Sequence, residues 1–319
     1  MKNPARFALI FFLLLFPLLA GAHCQYNEGA AGPVRYADLS LVPVPDGAKV
    51  DRLIAVNTGF GRVEESHFAA DGDPHKTMVV PMPVYLIERQ GKYLLVDTGL
   101  AGALATDPSR YLGRTAACLA RNELKRLIMR PGWDVPAQVQ QLNIDPGKIT
   151  DVVITHSHFD HTGANRAFLH ATFHLTPEEL RAGRSGGMLG GYISDDFPGA
   201  MTVAKLDFAG TKPLLAFEGS VDLYGDGSVY LLPLPGHSPG AVGVLVRTQH
   251  GLVLLVGDAA YTLHNIEKPV LMGVYIDADI CWDTLCRLKR LSVADPEVLI
   301  WPSHDSQVFE EQPTAPDAL

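Results

Sequence analysis

Basic residues are in short supply in this sequence. Lys and Arg number 26 against 35 Asp and Glu, a formal charge of -9. A nucleic-acid backbone is bound through a cationic footprint, so the composition excludes that class of partner. Cysteine is scarce too: Cys24, Cys118, Cys281 and Cys286 are the full set, and no CxxC occurs. That excludes a zinc site built on paired cysteines. Cys281 and Cys286 lie five positions apart in a stretch expected to be helical, where they do not share a face. The sequence leaves any disulfide pairing open. Beyond residue 19 no apolar run approaches the roughly 20 residues of a membrane span. The lack of an internal repeat excludes a solenoid or propeller.

What is present begins with a leader. Lys2 and Arg6 precede an apolar run at 7–19, and the small residues Ala20, Gly21 and Ala22 follow. This reads as a secretory signal peptide, residues 1–22, cut after Ala22, with a periplasmic or secreted destination. The run is short for a bilayer span and holds Pro17, and His23 stands where a lipoprotein signal wants a small residue before Cys24. The remaining 23–319 shows no linker and is read as a single domain.

Apolar residues make up 47% of the chain, beside 30 Gly and 23 Pro, which suits a loop-rich, sheet-based enzyme. Strand-like runs begin at Val50. Residues 84–88 and 93–97 flank Gly91-Lys92 and read as a hairpin. Residues 109–129 look helical up to Pro131-Gly132, and 164–170 also suit a helix. Thr176, Pro177 and Glu179 form a capping-box start. The Gly-rich stretch 183–201 reads as a lid or pocket wall. Strands are expected at 149–155, 220–223 and 228–233, with a second hairpin turning at His250-Gly251 and a helix at 283–291. Strands in both halves with helices between suggest a sheet sandwich with helices outside.

The chemistry is concentrated in ITHSHFDHTG, residues 154–163, which crowds His156, His158, Asp160 and His161 onto the turn after an apolar strand. In an extended segment His156 and His158 point the same way, and a tight turn brings Asp160 and His161 round. Imidazole and carboxylate suit zinc, iron or manganese, and so many ligand groups are hard to bury without a metal. Three later strand ends repeat the context: His237 in LLPLPGHSPG, Asp258 in LVLLVGDAAYT and His304 in VLIWPSHDS. Together they supply enough ligands for two metals with one carboxylate shared. Of the other histidines, His67 and His75 read as surface or pocket rim, His170 and His174 as structural, and His250 as a solvated turn, while His264 reads as a residue outside the ligand set, with reach into the pocket as the lesser alternative.

HxHxDH, a lone His in PGHSPG, GD after a strand, a late His, and LLVDTG upstream together resemble the metallo-β-lactamase superfamily. The resemblance implies an αββα sandwich, two mixed sheets flanked by helices with metals at one edge. It implies that His156, His158 and His237 hold a first metal, that Asp160, His161 and His304 hold a second, and that Asp258 and a hydroxide bridge them. Asp97 becomes a supporting aspartate near the site. Asp258 stands where the β-lactamases themselves carry Cys or Ser, which argues against that activity. GDAAYT, with Tyr261 three residues after the bridging aspartate, and SHD at 303–305 resemble the N-acyl homoserine lactonases, with Ser303 in place of their Gly. The implied function is lactone ring opening, with Tyr261 and Asp160 catalytic and two divalent ions as cofactors, zinc first and iron, manganese or cobalt as alternatives. An organophosphate or aryl ester hydrolase on the same site, or a non-catalytic metal-binding protein, are the competing readings. The implied partner is a small lactone or ester, with a homodimer as the assembly. Met78, Val79, Met82, Met188, Leu189 and Tyr192 are the candidates for an apolar groove.

Overall fold

The strands of this chain are apolar on both faces, because each sheet is covered twice. The computed structural model describes residues 40–312; the leader and Cys24 lie outside them. A seven-stranded sheet has the order β4-β1-β2-β3-β5-β6-β7. Its strands are β1 (Arg52–Glu64), β2 (Thr77–Arg89), β3 (Lys92–Val96), β4 (Leu127–Ile128), β5 (Ile149–Val153), β6 (Thr172–Leu175) and β7 (Thr202–Lys205). A five-stranded sheet has the order β12-β11-β10-β9-β8. It comprises β8 (Val221–Asp222), β9 (Val229–Pro233), β10 (Val242–Thr248), β11 (Gly251–Gly257) and β12 (Leu299–Pro302). Both sheets are mixed: β3, β5, β6 and β7 run parallel, as do β11 and β12, and the other neighbours are antiparallel.

Alternation along each strand sorts the side chains into layers. Leu53, Ala55, Tyr85, Ile87, Leu94 and Val96 meet Val229, Leu231, Val244, Val253, Leu255 and Trp301 between the sheets. The intervening Ile54, Val56, Val84, Leu86 and Leu95 face outward against Val135 and Val139 of the helix Val135–Gln141 and Leu180 of the helix Pro177–Ser185. On the far side, Leu232, Leu245, Leu254 and Ile300 pack against Cys281, Leu285, Leu288 and Leu291 of the helix Ala278–Ala294. This is the αββα sandwich. Cys118, Cys281 and Cys286 are free thiols.

Several local expectations are corrected. Residues 109–129 are not one helix but three short ones, Pro108–Leu112, Arg114–Leu119 and Arg121–Leu124, followed by β4. Gly113 at φ 77° stops the first, and none of the three has a buried residue to anchor a longer helix. At 164–170 only the 3₁₀ turn Asn165–Phe168 forms. The first hairpin turns at Gln90-Gly91, both at positive φ, rather than at Gly91-Lys92, as the right-handed twist of a two-residue hairpin demands. The helix expected at 283–291 is longer, Ala278–Ala294, and is started by Asp277, whose side chain accepts from the Ile280 N–H.

Candidate metal centre

The functional side chains sit at strand C-terminal ends along one edge of the sandwich. Asp97 directly follows β3 and has φ 64°, a left-handed conformation that Asp tolerates better than most residues. The turn sends its carboxylate toward the β5 end. Oδ1 accepts from the Thr155 N–H (2.7 Å), and Oδ2 accepts from the Thr155 hydroxyl (2.7 Å) and lies 2.7 Å from His161 Nδ1. One helical turn, Phe159–Thr162, swings Asp160 and His161 back beneath His156 and His158. In the second sheet, His237 follows β9, Asp258 follows β11 and His304 follows β12. Gly257 has φ 53°, and a Cβ there would lie 2.9 Å from Thr155, so glycine lets the two sheet ends close on each other.

Two groups of ligand atoms result. In the first, His156 Nε2 lies 3.0 Å from His158 Nδ1 and 3.2 Å from His237 Nε2, and the last two are 2.9 Å apart. Asp258 Oδ2 completes this group at 3.6 Å from His156 and 3.3 Å from His237. In the second, Asp160 Oδ2 lies 3.7 Å from His161 Nε2 and 3.9 Å from His304 Nε2. The other Asp258 oxygen, Oδ1, is 3.2 Å from each of those two nitrogens. Asp258 is thus divided between the groups, one oxygen to each.

The donor set fits two cations. Ring nitrogens that do not face the centre are already engaged: His237 Nδ1 with the Val274 carbonyl (3.0 Å), His304 Nδ1 with the Pro81 carbonyl (2.8 Å) and His161 Nδ1 with Asp97. Such bonds set the tautomer and aim the remaining lone pair inward. Burial depresses His156, His158 and His237, the last to about 4, which favours the neutral ring that a metal ligand needs. Burial also opposes charge on His161 and His304, but Asp258 and its acidic neighbours outweigh it and raise both. Burial works against the Asp258 carboxylate as well, and the surrounding histidines overcome it to hold the group well below the usual range. His161 Nε2 is buried and lies 3.2 Å from Asp258 Oδ1 without the alignment of a well-formed hydrogen bond. Two ligands of one ion have that relation; a donor and its acceptor do not.

All seven expected ligands, His156, His158, Asp160, His161, His237, Asp258 and His304, therefore come together. Tyr261 stands between the two groups, its ring 5.5 Å from that of His237 and 5.4 Å from that of His304. Burial, and then the charges of Asp258 and Asp160, raise its phenol well above the ordinary value. His264 does not join; its Nε2 lies 3.0 Å from each carboxylate oxygen of Asp71 on the surface. His170 bonds the Pro146 carbonyl and His174 bonds Asp151, both structural contacts. The 183–201 stretch is a wall: the Gly191 carbonyl accepts from the Phe159 N–H (2.9 Å), and the Tyr192 ring lies 4.8 Å from His158. Gly191 has φ 81°, and a Cβ there would come within 3.1 Å of the His158 ring.

Sequence reasoning missed three contributors. Phe68 lies 4.7 Å from Tyr261 and 5.7 Å from His304, and its polar neighbourhood carried no signal. Ser303 donates to Asp258 Oδ1. Glu179 does not complete the capping box: Thr176 accepts from the Glu179 N–H, but the Glu179 carboxylate turns away from the helix start.

A buried pair of His/Asp groups at the edge of an αββα sandwich defines a class, and the comparison with known proteins agrees. The profile of the metallo-beta-lactamase superfamily matches residues 79–304, and the chain belongs to that superfamily. Within it, the chain is similar to the N-acyl homoserine lactonase AttM of Rhizobium radiobacter, 34% identical over 75% of this chain and 87% of that one. The AttM lactonase of Azorhizobium caulinodans is also 34% identical, over 61% of this chain and 70% of the relative. Among solved structures, an N-acyl homoserine lactone hydrolase with the product N-hexanoyl-L-homoserine at its catalytic metal center superposes with a TM-score of 0.69. It is 23% identical, over 85% of this chain and all of the other, a likeness of fold.

Proposed function

We propose that the protein is a metal-dependent hydrolase that opens the ring of N-acyl homoserine lactones, with His156, His158, His237 and Asp258 holding one divalent ion and Asp160, His161, His304 and Asp258 the other. The division of the Asp258 carboxylate between two buried ligand groups carries this reading. The AttM relatives support the substrate class. When bound, a pair of divalent ions supplies an activated water and polarises the scissile carbonyl. The residues do the rest. Tyr261 stays protonated and donates to the oxygen on which charge develops. Asp160 takes up the proton released by the attacking water and passes it to the departing alkoxide as the ring C–O bond breaks. Asp97 holds His161 in its ligating tautomer.

The apolar acyl chain has a matching surface. Each of three segments that back a ligand histidine presents an exposed apolar side chain. Val79 (46% exposed) lies two residues before Pro81, Leu189 (40%) two before Gly191, and Val274 (39%) itself accepts from His237. Ile276 (55%) follows, its N–H bonded to Gly236 next to His237. Lone exposed apolar residues are ordinary on surfaces; their recurrence on segments whose backbones contact the ligand histidines supports an amphiphilic substrate. Of the other groove candidates, Met82 and Tyr192 are buried.

Zinc suits this His/Asp donor set, with iron, manganese or cobalt as the alternatives that metal analysis distinguishes. The leader supports export to the periplasm or beyond, with 23–319 as the working domain; the N-terminal residue of protein recovered from that compartment tests it. Among the described residues no helix is long and apolar enough to cross a membrane. The decisive assay presents the metal-loaded enzyme with short- and long-chain acyl homoserine lactones, simple lactones, an aryl ester, a phosphotriester and a β-lactam. Opening of the acyl homoserine lactones that a chelator abolishes is the expected result. Turnover of the aryl ester or phosphotriester with the lactones untouched would replace the substrate class and keep the metal centre.

A further inference from the structure

Glu179 lies in the first turn of the helix Pro177–Ser185 and is fully buried. Its Oε2 accepts from the Ser157 N–H at 2.8 Å. Its Oε1 accepts from the Ser238 hydroxyl at 2.6 Å and from the Gly240 N–H at 2.8 Å. Its own carbonyl accepts from the Ser157 hydroxyl at 2.9 Å. Ser157 sits between His156 and His158, and Ser238 follows His237. The two loops belong to different sheets, one after β5 and one after β9. One carboxylate thus ties together, from behind, the loops that carry all three histidines of the first ligand group. A buried carboxylate whose partners are neutral N–H and O–H donors is expensive to keep, and an apolar residue would fill a helix–sheet contact more cheaply.

We infer that Glu179 is the positioning residue of the first metal site: it sets the spacing of His156 and His158 against His237, and through that spacing the site's affinity. The inference rests on the two-metal reading above. Its consequence is selective. Asp160, His161 and His304 are held chiefly by Asp97, the Pro81 carbonyl and the turn Phe159–Thr162, none of which Glu179 touches, and meet the first group through Asp258 and His158, so the second site should respond less.

The test is metal binding by full-length protein, with zinc alone competed against a chromophoric chelator. Cobalt(II) absorption serves as a second readout of ligand geometry. Glu179→Gln leaves one acceptor oxygen and turns an NH₂ on a donor. It is expected to weaken one of the two ions by about 10–100-fold, the range for loss of a group that orients a ligand. The other ion should lose far less affinity, the cobalt spectrum should change, and kcat should fall with KM held. Ser238→Ala removes a single hydroxyl bond and should give a smaller loss at the same ion; it carries the test if Glu179→Gln does not fold. Both ions bound as tightly as in wild type, with only the melting temperature lowered, would make Glu179 a brace and overturn the inference. Wild-type protein that takes up no ion would overturn the metal-centre reading along with it.

Discussion

Tyr261 and Asp258 show how a residue's task here depends on what surrounds it. Burial, and then the charges of Asp258 and Asp160, raise the Tyr261 phenol, which suits it to the proposed role of donor. Tyr261→Phe should therefore lower kcat by about 10²-fold with little change in KM, the range for removing one oxyanion donor; steady-state kinetics on an acyl homoserine lactone decides, and an unchanged kcat would leave Tyr261 a packing residue against Phe68. Asp258 is different in kind, since each of its oxygens belongs to a separate ligand group. Asp258→Asn offers one carbonyl oxygen where two carboxylate oxygens were shared. It should cost the protein one of its two ions, read by elemental analysis of the dialysed variant, and abolish turnover.

At the scale of the element, the wall formed by 183–201 carries a titratable group of its own. Asp196 accepts from the Tyr111 hydroxyl (2.7 Å) and the Thr162 hydroxyl (3.0 Å), which pins the 3₁₀ turn Ser194–Asp196 to the turn holding His161. Burial pushes its carboxyl up to about 7, from 3.8, against those hydrogen bonds. Between those values the unfolded chain is ionised while the folded one keeps its proton, so stability falls as pH rises through the window and levels off above about 7. Asp196→Asn keeps an acceptor for both hydroxyls and removes the titration. The variant should exceed wild type in stability at pH 8 by an amount on the order of a few kcal/mol, and the gain should shrink toward pH 4. Thermal melts at the two pH values check the sign. The rim segments make a second prediction at this scale. Leu189→Glu and Ile276→Glu alter exposed positions, so the fold should stand while KM for long-chain lactones rises several-fold more than for short-chain ones. Equal effects on both would place the chain elsewhere.

Taken whole, the molecule is two sheets whose strand ends meet at one edge, and the metal centre lies across that meeting. His156, His158, Asp160 and His161 come from the seven-stranded sheet, while His237, Asp258 and His304 come from the five-stranded one. Ions bound there would act as a clasp between the sheets. A ligand that binds only the folded state stabilises it by mass action. Chelation should lower the melting temperature, zinc should restore it, and the shift should shrink in acid as protons compete for the imidazoles. A melting temperature indifferent to chelator would contradict a clasp of this kind.

Much of the site was legible in the sequence because its ligands are chemically distinctive and follow strand-like apolar runs: His156 to His161 after one, and His237, Asp258 and His304 after three others. The αββα topology came through the resemblance those motifs carry, since periodicity alone does not pair strands. Local structure was less legible where glycine or tertiary pairing overrode helical pattern, as in residues 109–129, broken at Gly113 and ended by the pairing of β4 with β1. His264 lies close to Asp258 in sequence, which left a pocket role open as the lesser reading, and packing sends it to Asp71. The sequence by itself determined which atoms could bind metal, because donor chemistry belongs to the side chain. Only the tertiary structure decided that Ser303 bonds Asp258, that Phe68 packs against Tyr261, and that Glu179 joins two loops from opposite sheets. Those facts are distances between residues far apart in the chain, and no local pattern encodes them.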